Sequence, residues 1–138
     1  MRVSSMVLTL LLVGLAFVGT AIAHEKASHK GVSFGEPQDG AVVQSEFKVV
    51  MNIEGMKVEK AGDALPDSGH HHLIVDGDCI EKGGAVPKDE LHRHFGKGQE
   101  EATLLLAPGK HSLTLQFANG LHKSYGRDWC QTIHVTVE

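Results

Sequence analysis

The sequence predicts an all-β protein: an immunoglobulin-like β-sandwich that follows a cleaved N-terminal signal peptide. Three observations lead there. Apolar residues recur with a period of two in several short runs. Turn-forming residues separate those runs at Pro37-Gln38-Asp39-Gly40, Asp76-Gly77, Gly83-Gly84, Pro108-Gly109 and Asn119-Gly120. No stretch combines a sustained helical period with capping residues. Short strands with frequent turns are the pattern of a sandwich.

In chain order, residues 1–23 read as a secretory signal. Arg2 supplies the positive start, Met6 to Val18 is an apolar run broken only by Thr9 and Gly14, and Ala21-Ile22-Ala23 is an A-x-A cleavage site. The run is shorter than the roughly 20 residues that span a bilayer. No cysteine follows it closely, so a lipoprotein signal is not supported. Cleavage would place the protein in the periplasm or outside the cell, free of the membrane, with His24 at its N-terminus. Residues 24–31 are polar and patternless and read as a flexible arm. Residues 32–138 then form a single sandwich domain.

Within that domain, Phe47, Val49, Met51 and Ile53 alternate with Lys48, Val50 and Asn52. Gly69 to Asp76 reads as a strand entered directly from a long polar connection at 54–69. A second irregular segment, 77–91, leads to the strand-like Leu91-His92-Arg93-His94-Phe95-Gly96. Pro108-Gly109-Lys110 reads as a short hairpin loop before the alternating Leu113, Leu115 and Phe117. Ile133, Val135 and Val137 alternate with Thr132, His134 and Thr136 at the C-terminus.

The 138 residues carry a formal net charge of −4, so the basic surface that tracks nucleic-acid phosphates is missing. Ten residues are histidine, against about three for an average chain of this size. The functional question is therefore largely what the histidines do. The two cysteines, Cys79 and Cys130, pair most simply as a disulfide in an exported protein. That bond would close a loop of about 50 residues, worth about 4 kcal/mol in the chain-entropy picture. The alternative is a pair of thiolate metal ligands.

On a strand through Gly69-His70-His71-His72-Leu73, His70 and His72 share one face, while His71 shares the other with Leu73 and Val75. His92 and His94 form a second H-x-H pair. Strands lie about 4.8 Å apart, so two aligned pairs could bring four imidazoles around one ion. Imidazole donors suit copper and zinc. Only Met51 and Met56 follow the signal segment, with Met51 in core phase, so a methionine-rich Cu(I) site is not supported. The bland reading of the same residues is a structural network of hydrogen-bonded histidines, or a pH-responsive or substrate-binding group.

The remaining histidines sort by position. His111 shares the phase of Leu113 and is expected to turn inward, with a ring N–H on a backbone carbonyl. His134 is on the outward face and His29 in the arm. His122, in the loop Leu121-His122-Lys123-Ser124-Tyr125-Gly126, is a candidate further ligand or supporting contact. His24, if it is the N-terminus, could chelate copper through its amine and ring in a histidine brace.

From about Val32 to Glu138 the chain resembles the DUF4399 domain family, small exported bacterial and archaeal proteins without an established role. The resemblance rests on Ala61-Gly62-Asp63, Gly69 to Asp76, Pro87-Lys88-Asp89-Glu90, His92 to Gln99, Pro108 to Leu115 and His122 to Gly126. It implies an exported β-sandwich with these histidine motifs as its hallmark. His24 lies outside the matched region, and the two cysteines are not part of the pattern.

Three functions follow from these readings. The first is a periplasmic copper or zinc carrier or buffer, with His70, His72, His92 and His94 as ligands, His71 or His122 nearby, and another periplasmic protein as a possible partner. The second is a non-catalytic structural or protein-interaction module. The third is a metal-dependent enzyme with an open coordination position, for which Asp76, Asp89 and Glu90 are the available carboxylates. A nucleophilic triad is not expected, since neither cysteine has an activating context.

Overall fold

The structure is a computed structural model that describes residues 30–138. The signal segment, His24 and His29 lie outside those residues. Among the described residues nine strands follow one another: β1 (Gly31–Glu36), β2 (Val42–Val43), β3 (Glu46–Glu54), β4 (Lys57–Val58), β5 (Ser68–Val75), β6 (His92–His94), β7 (Glu101–Leu105), β8 (Gly109–Ala118) and β9 (Cys130–Val137). One 3₁₀ turn, Arg127–Trp129, precedes β9. Among the described residues no helix is long and apolar enough to cross a membrane.

One sheet has the order β1-β3-β7 and the other β2-β9-β8-β5-β4, with β6 also paired to β5. The arrangement of β1-β3-β7 against β5-β8-β9 is the A-B-E and C-F-G layering of an immunoglobulin-like sandwich. The N-terminal segment serves both sheets. β1 pairs antiparallel with β3, and past Pro37 the chain crosses to pair β2 parallel with β9.

The period-two runs form the facing surfaces. Val49 and Met51 of β3 pack toward Leu73 of β5, Leu113, Leu115 and Phe117 of β8, and Ile133 and Val135 of β9, all buried. Short β7 adds Leu104. Its alternation is too brief to stand out in the sequence, and the same is true of the two-residue β2 and β4. Gly31 belongs to β1 rather than to the arm. Segment 54–69 is not wholly irregular, because Lys57–Val58 pairs parallel with Ser68 and Gly69. Pro108-Gly109-Lys110 is no hairpin. β7 pairs with β3 and β8 with β5 and β9, so this turn carries the chain between sheets.

The second sheet is buried on both faces along β5. Segment 77–91 lies over its outer side. Thr114 Oγ1 donates to Gly77 O at 2.7 Å, and Ile80 N donates to Gln116 Oε1 at 2.9 Å. Cys79 and Cys130 are joined by a disulfide, with Cα atoms 6.0 Å apart. It ties this segment to the first residue of β9, unlike the inter-sheet bridge of antibody domains, and it removes both thiols as ligands.

Candidate metal centre

The strand pleat sends His70 and His72 away from the core and His71 into it. His71 packs edge-on against Phe117, ring centroids 5.1 Å apart, and both its ring nitrogens are buried without a partner. Burial, reinforced by the neighbouring His70, lowers its pKa to about 4. Its ring is a core side chain, separated from the other histidines by the sheet itself.

Register decides which of the others meet. β6 runs antiparallel to β5 with His94 opposite His72 and His92 opposite Ile74. The two H-x-H pairs are therefore offset rather than aligned, and only three of their four rings converge. His92 turns to Asp89, with Nδ1 and Oδ1 2.7 Å apart. The same carboxylate oxygen accepts the backbone N–H groups of Leu91 and His92. His94, by contrast, folds over the backbone of Gly96. A Cβ at residue 96 would overlap the His94 ring, so only glycine leaves that space.

The fourth ring comes from the loop after β8. Asn119 Oδ1 accepts from Leu121 N at 2.9 Å and from Lys123 N at 3.0 Å, closing a tight turn. Gly120 sits against the Asp63 backbone, where a Cβ would overlap the carbonyl. His122 follows with φ of 63°, the left-handed region that side chains seldom occupy. This geometry brings its ring over His94.

The four Nε2 atoms form a connected cluster. His72 to His70 is 3.0 Å, His70 to His94 is 3.2 Å and His94 to His122 is 2.9 Å. Ring centroids across all pairs are 4.7 to 5.7 Å apart. The nitrogens of His70, His94 and His122 all lie within 4.8 Å of one another. Each Nε2 carries either one proton or one in-plane lone pair. His70 and His94 each face two neighbours, so the three contacts cannot all be good hydrogen bonds among neutral rings. A cation at the centre would use the lone pairs that protons cannot pair. Metal–nitrogen bonds near 2.0–2.1 Å set ligand nitrogens about 2.8–3.0 Å apart along a square edge and about 3.3–3.4 Å apart in a tetrahedron. The three contacting pairs fall across that range, and the His70, His94 and His122 nitrogens could hold a metal ion, with His72 adjoining through His70.

Burial grades across the cluster. His70 and His72 are buried, His122 is half-buried and His94 is exposed. The pKa of His70 is lowered to about 4 by burial and then by the neighbouring His94 and His122. His72 is lowered to about 2, again by burial first and then by the surrounding rings. His94 is lowered by burial, His122 and Lys88. The inner rings are thus neutral, the protonation state a metal requires.

Outside the cluster, His111 bridges Asp76 Oδ2 at 2.8 Å and the Ala107 carbonyl at 2.9 Å. The expected backbone carbonyl is there, together with a carboxylate that the strand phase does not reveal. His134 is exposed, as its outward phase requires. Gly31-Val32-Ser33-Phe34-Gly35 has the spacing of a nucleophile elbow, but it is strand throughout, with Ser33 paired to Asn52. An elbow needs a sharp strand-to-helix turn.

Fold and cluster together define a small β-sandwich with an all-imidazole site at the edge of one sheet. The chain belongs to the DUF4399 family: the model of that family, described as a domain of unknown function, matches residues 49–138. The match contains all four clustered histidines and both cysteines, and begins within β3. No curated protein and no solved structure matches the chain.

Proposed function

We propose that this protein is an exported carrier or buffer for Cu(II) or Zn(II), in the periplasm or outside the cell, with His70, His72, His94 and His122 as ligands. The observation that carries the reading is the convergence of the His70, His94 and His122 nitrogens within 4.8 Å of one another, with His72 Nε2 adjoining His70 Nε2 at 3.0 Å. An all-nitrogen donor set suits zinc and copper and does not suit calcium or magnesium. The disulfide leaves no thiolate, and Met51 is in the core. Two ligands form a buried floor and two stand toward solvent, which gives an ion a route in and out. Exchange with another exported protein would use that open side. The signal-like residues 1–23 support export.

Titration of the purified protein with Cu(II) or Zn(II) tests the proposal. One ion bound per chain is expected, with a rise in melting temperature and, for copper, nitrogen hyperfine structure in the spin-resonance spectrum. A protein that stays metal-free at stoichiometric metal has histidines with a purely structural role.

A further inference from the structure

The position of His122 depends on a second segment of chain. Residues 80–86 run antiparallel beside 122–126. Val86 N donates to His122 O at 2.9 Å, Ser124 N to Gly84 O at 2.8 Å and Gly83 N to Ser124 O at 2.8 Å. Ser124 Oγ donates to Ile80 O at 2.7 Å. Ala85 and Lys123 form an isolated bridge. Apart from that bridge the segment has no regular structure. Its start is anchored twice: Ile80 N donates to buried Gln116, and the adjacent Cys79 is bonded to Cys130. Gln116 stands opposite His72 on one side and Cys130 on the other, so anchor and metal centre share one row of the sheet.

His122 holds a left-handed backbone conformation, which persists only where surrounding structure enforces it. The strap supplies part of that enforcement through the His122 carbonyl. Opening the disulfide frees one end of a connection whose conformational freedom then increases. The floor ligands His70 and His72, fixed within β5, are insulated from such a change.

We propose that the Cys79–Cys130 disulfide is a positioning element for His122 and thereby sets the metal affinity of the centre. The inference rests on the four-histidine reading above. With the bond closed, four imidazoles are presented. With it open, His122 is held less firmly and the centre weakens toward three. Opening takes two electrons and two protons from two molecules of a thiol reductant. These become joined as a disulfide while Cys79 and Cys130 become thiols.

A double-mutant cycle tests this by Zn(II) titration of the protein, of the Cys79→Ser/Cys130→Ser variant, and of each with His122→Ala. Losing the disulfide should weaken zinc binding about tenfold, the scale of a lost supporting partner, and should change it less than twofold when His122 is already absent. A loss under threefold, or an equal loss in both backgrounds, overturns the inference. If the parent protein binds no zinc, the reading of the centre falls and the inference falls with it.

Should the serine variant fail to fold, a reciprocal measurement uses the unsubstituted chain. Linkage requires bound zinc to make the disulfide harder to reduce by the same factor. The reduction equilibrium against glutathione, followed with and without buffered free Zn(II), should shift about tenfold. Coincident equilibria overturn the inference.

Discussion

His122 Nε2 lies 2.9 Å from His94 Nε2, although the two residues are 28 positions apart and come from different segments of the fold. The contact joins a ring brought by the short strand β6 to one brought by the turn after β8. It completes a cluster whose other members, His70 and His72, stand on the buried strand β5.

Removing individual rings should separate ligands from bystanders. His70→Ala, His94→Ala and His122→Ala are each expected to weaken Cu(II) or Zn(II) binding about a hundredfold or more, beyond the usual loss of a mere supporting partner. His92→Ala should stay within about twofold, because its ring is engaged with Asp89. Competition with a chromophoric chelator measures both. Strong loss in His92→Ala would place the ion elsewhere.

Gly96→Ala probes the space under His94. The added methyl overlaps the ring, while the backbone there is not in the left-handed region. The ring must swing aside. Metal affinity is expected to fall about tenfold, with stability reduced by about 1 kcal/mol or less. A chemical denaturation curve beside a zinc titration shows whether the two effects separate in this way.

His71→Leu should stabilise the fold. Both His71 ring nitrogens are buried without partners, and an unsatisfied buried polar group costs about 1–3 kcal/mol. An apolar side chain of similar size removes that cost, so a gain of about 1 kcal/mol is expected with unchanged metal binding. Loss of metal binding would make His71 more than a core residue.

The His111–Asp76 pair predicts a pH dependence. Its hydrogen bond to Asp76, then that to the Ala107 carbonyl, raises the His111 pKa above 6.5. The folded state therefore binds this proton more tightly than the unfolded chain. The stabilisation is complete below about pH 6.5 and disappears as pH rises through the folded pKa. His111→Gln should thus cost up to about 1 kcal/mol at pH 5.5 and less at pH 8.5. Urea midpoints of the two proteins at both pH values are the measurement. An equal cost at both, or a larger one at high pH, contradicts the assignment.

Strand alternation in Phe47–Ile53, Leu113–Phe117 and Ile133–Val137 was sufficient to define an all-β sandwich and its core, because a period of two forces one face inward. The same local geometry placed His70 and His72 together and turned His71 the other way. Ten histidines and the H-x-H spacing were enough to raise the question of metal. Tertiary structure alone decided which histidine rings meet. The β5–β6 register sets His92 beside Ile74, and no feature of one strand encodes its offset against another. The entry of His122 depends on Asn119, the close approach of Gly120 to Asp63, and the strap across 80–86. The last two are long-range contacts, invisible to any periodicity, and with the local turn at Asn119 they turn two suggestive motifs into one four-ring cluster.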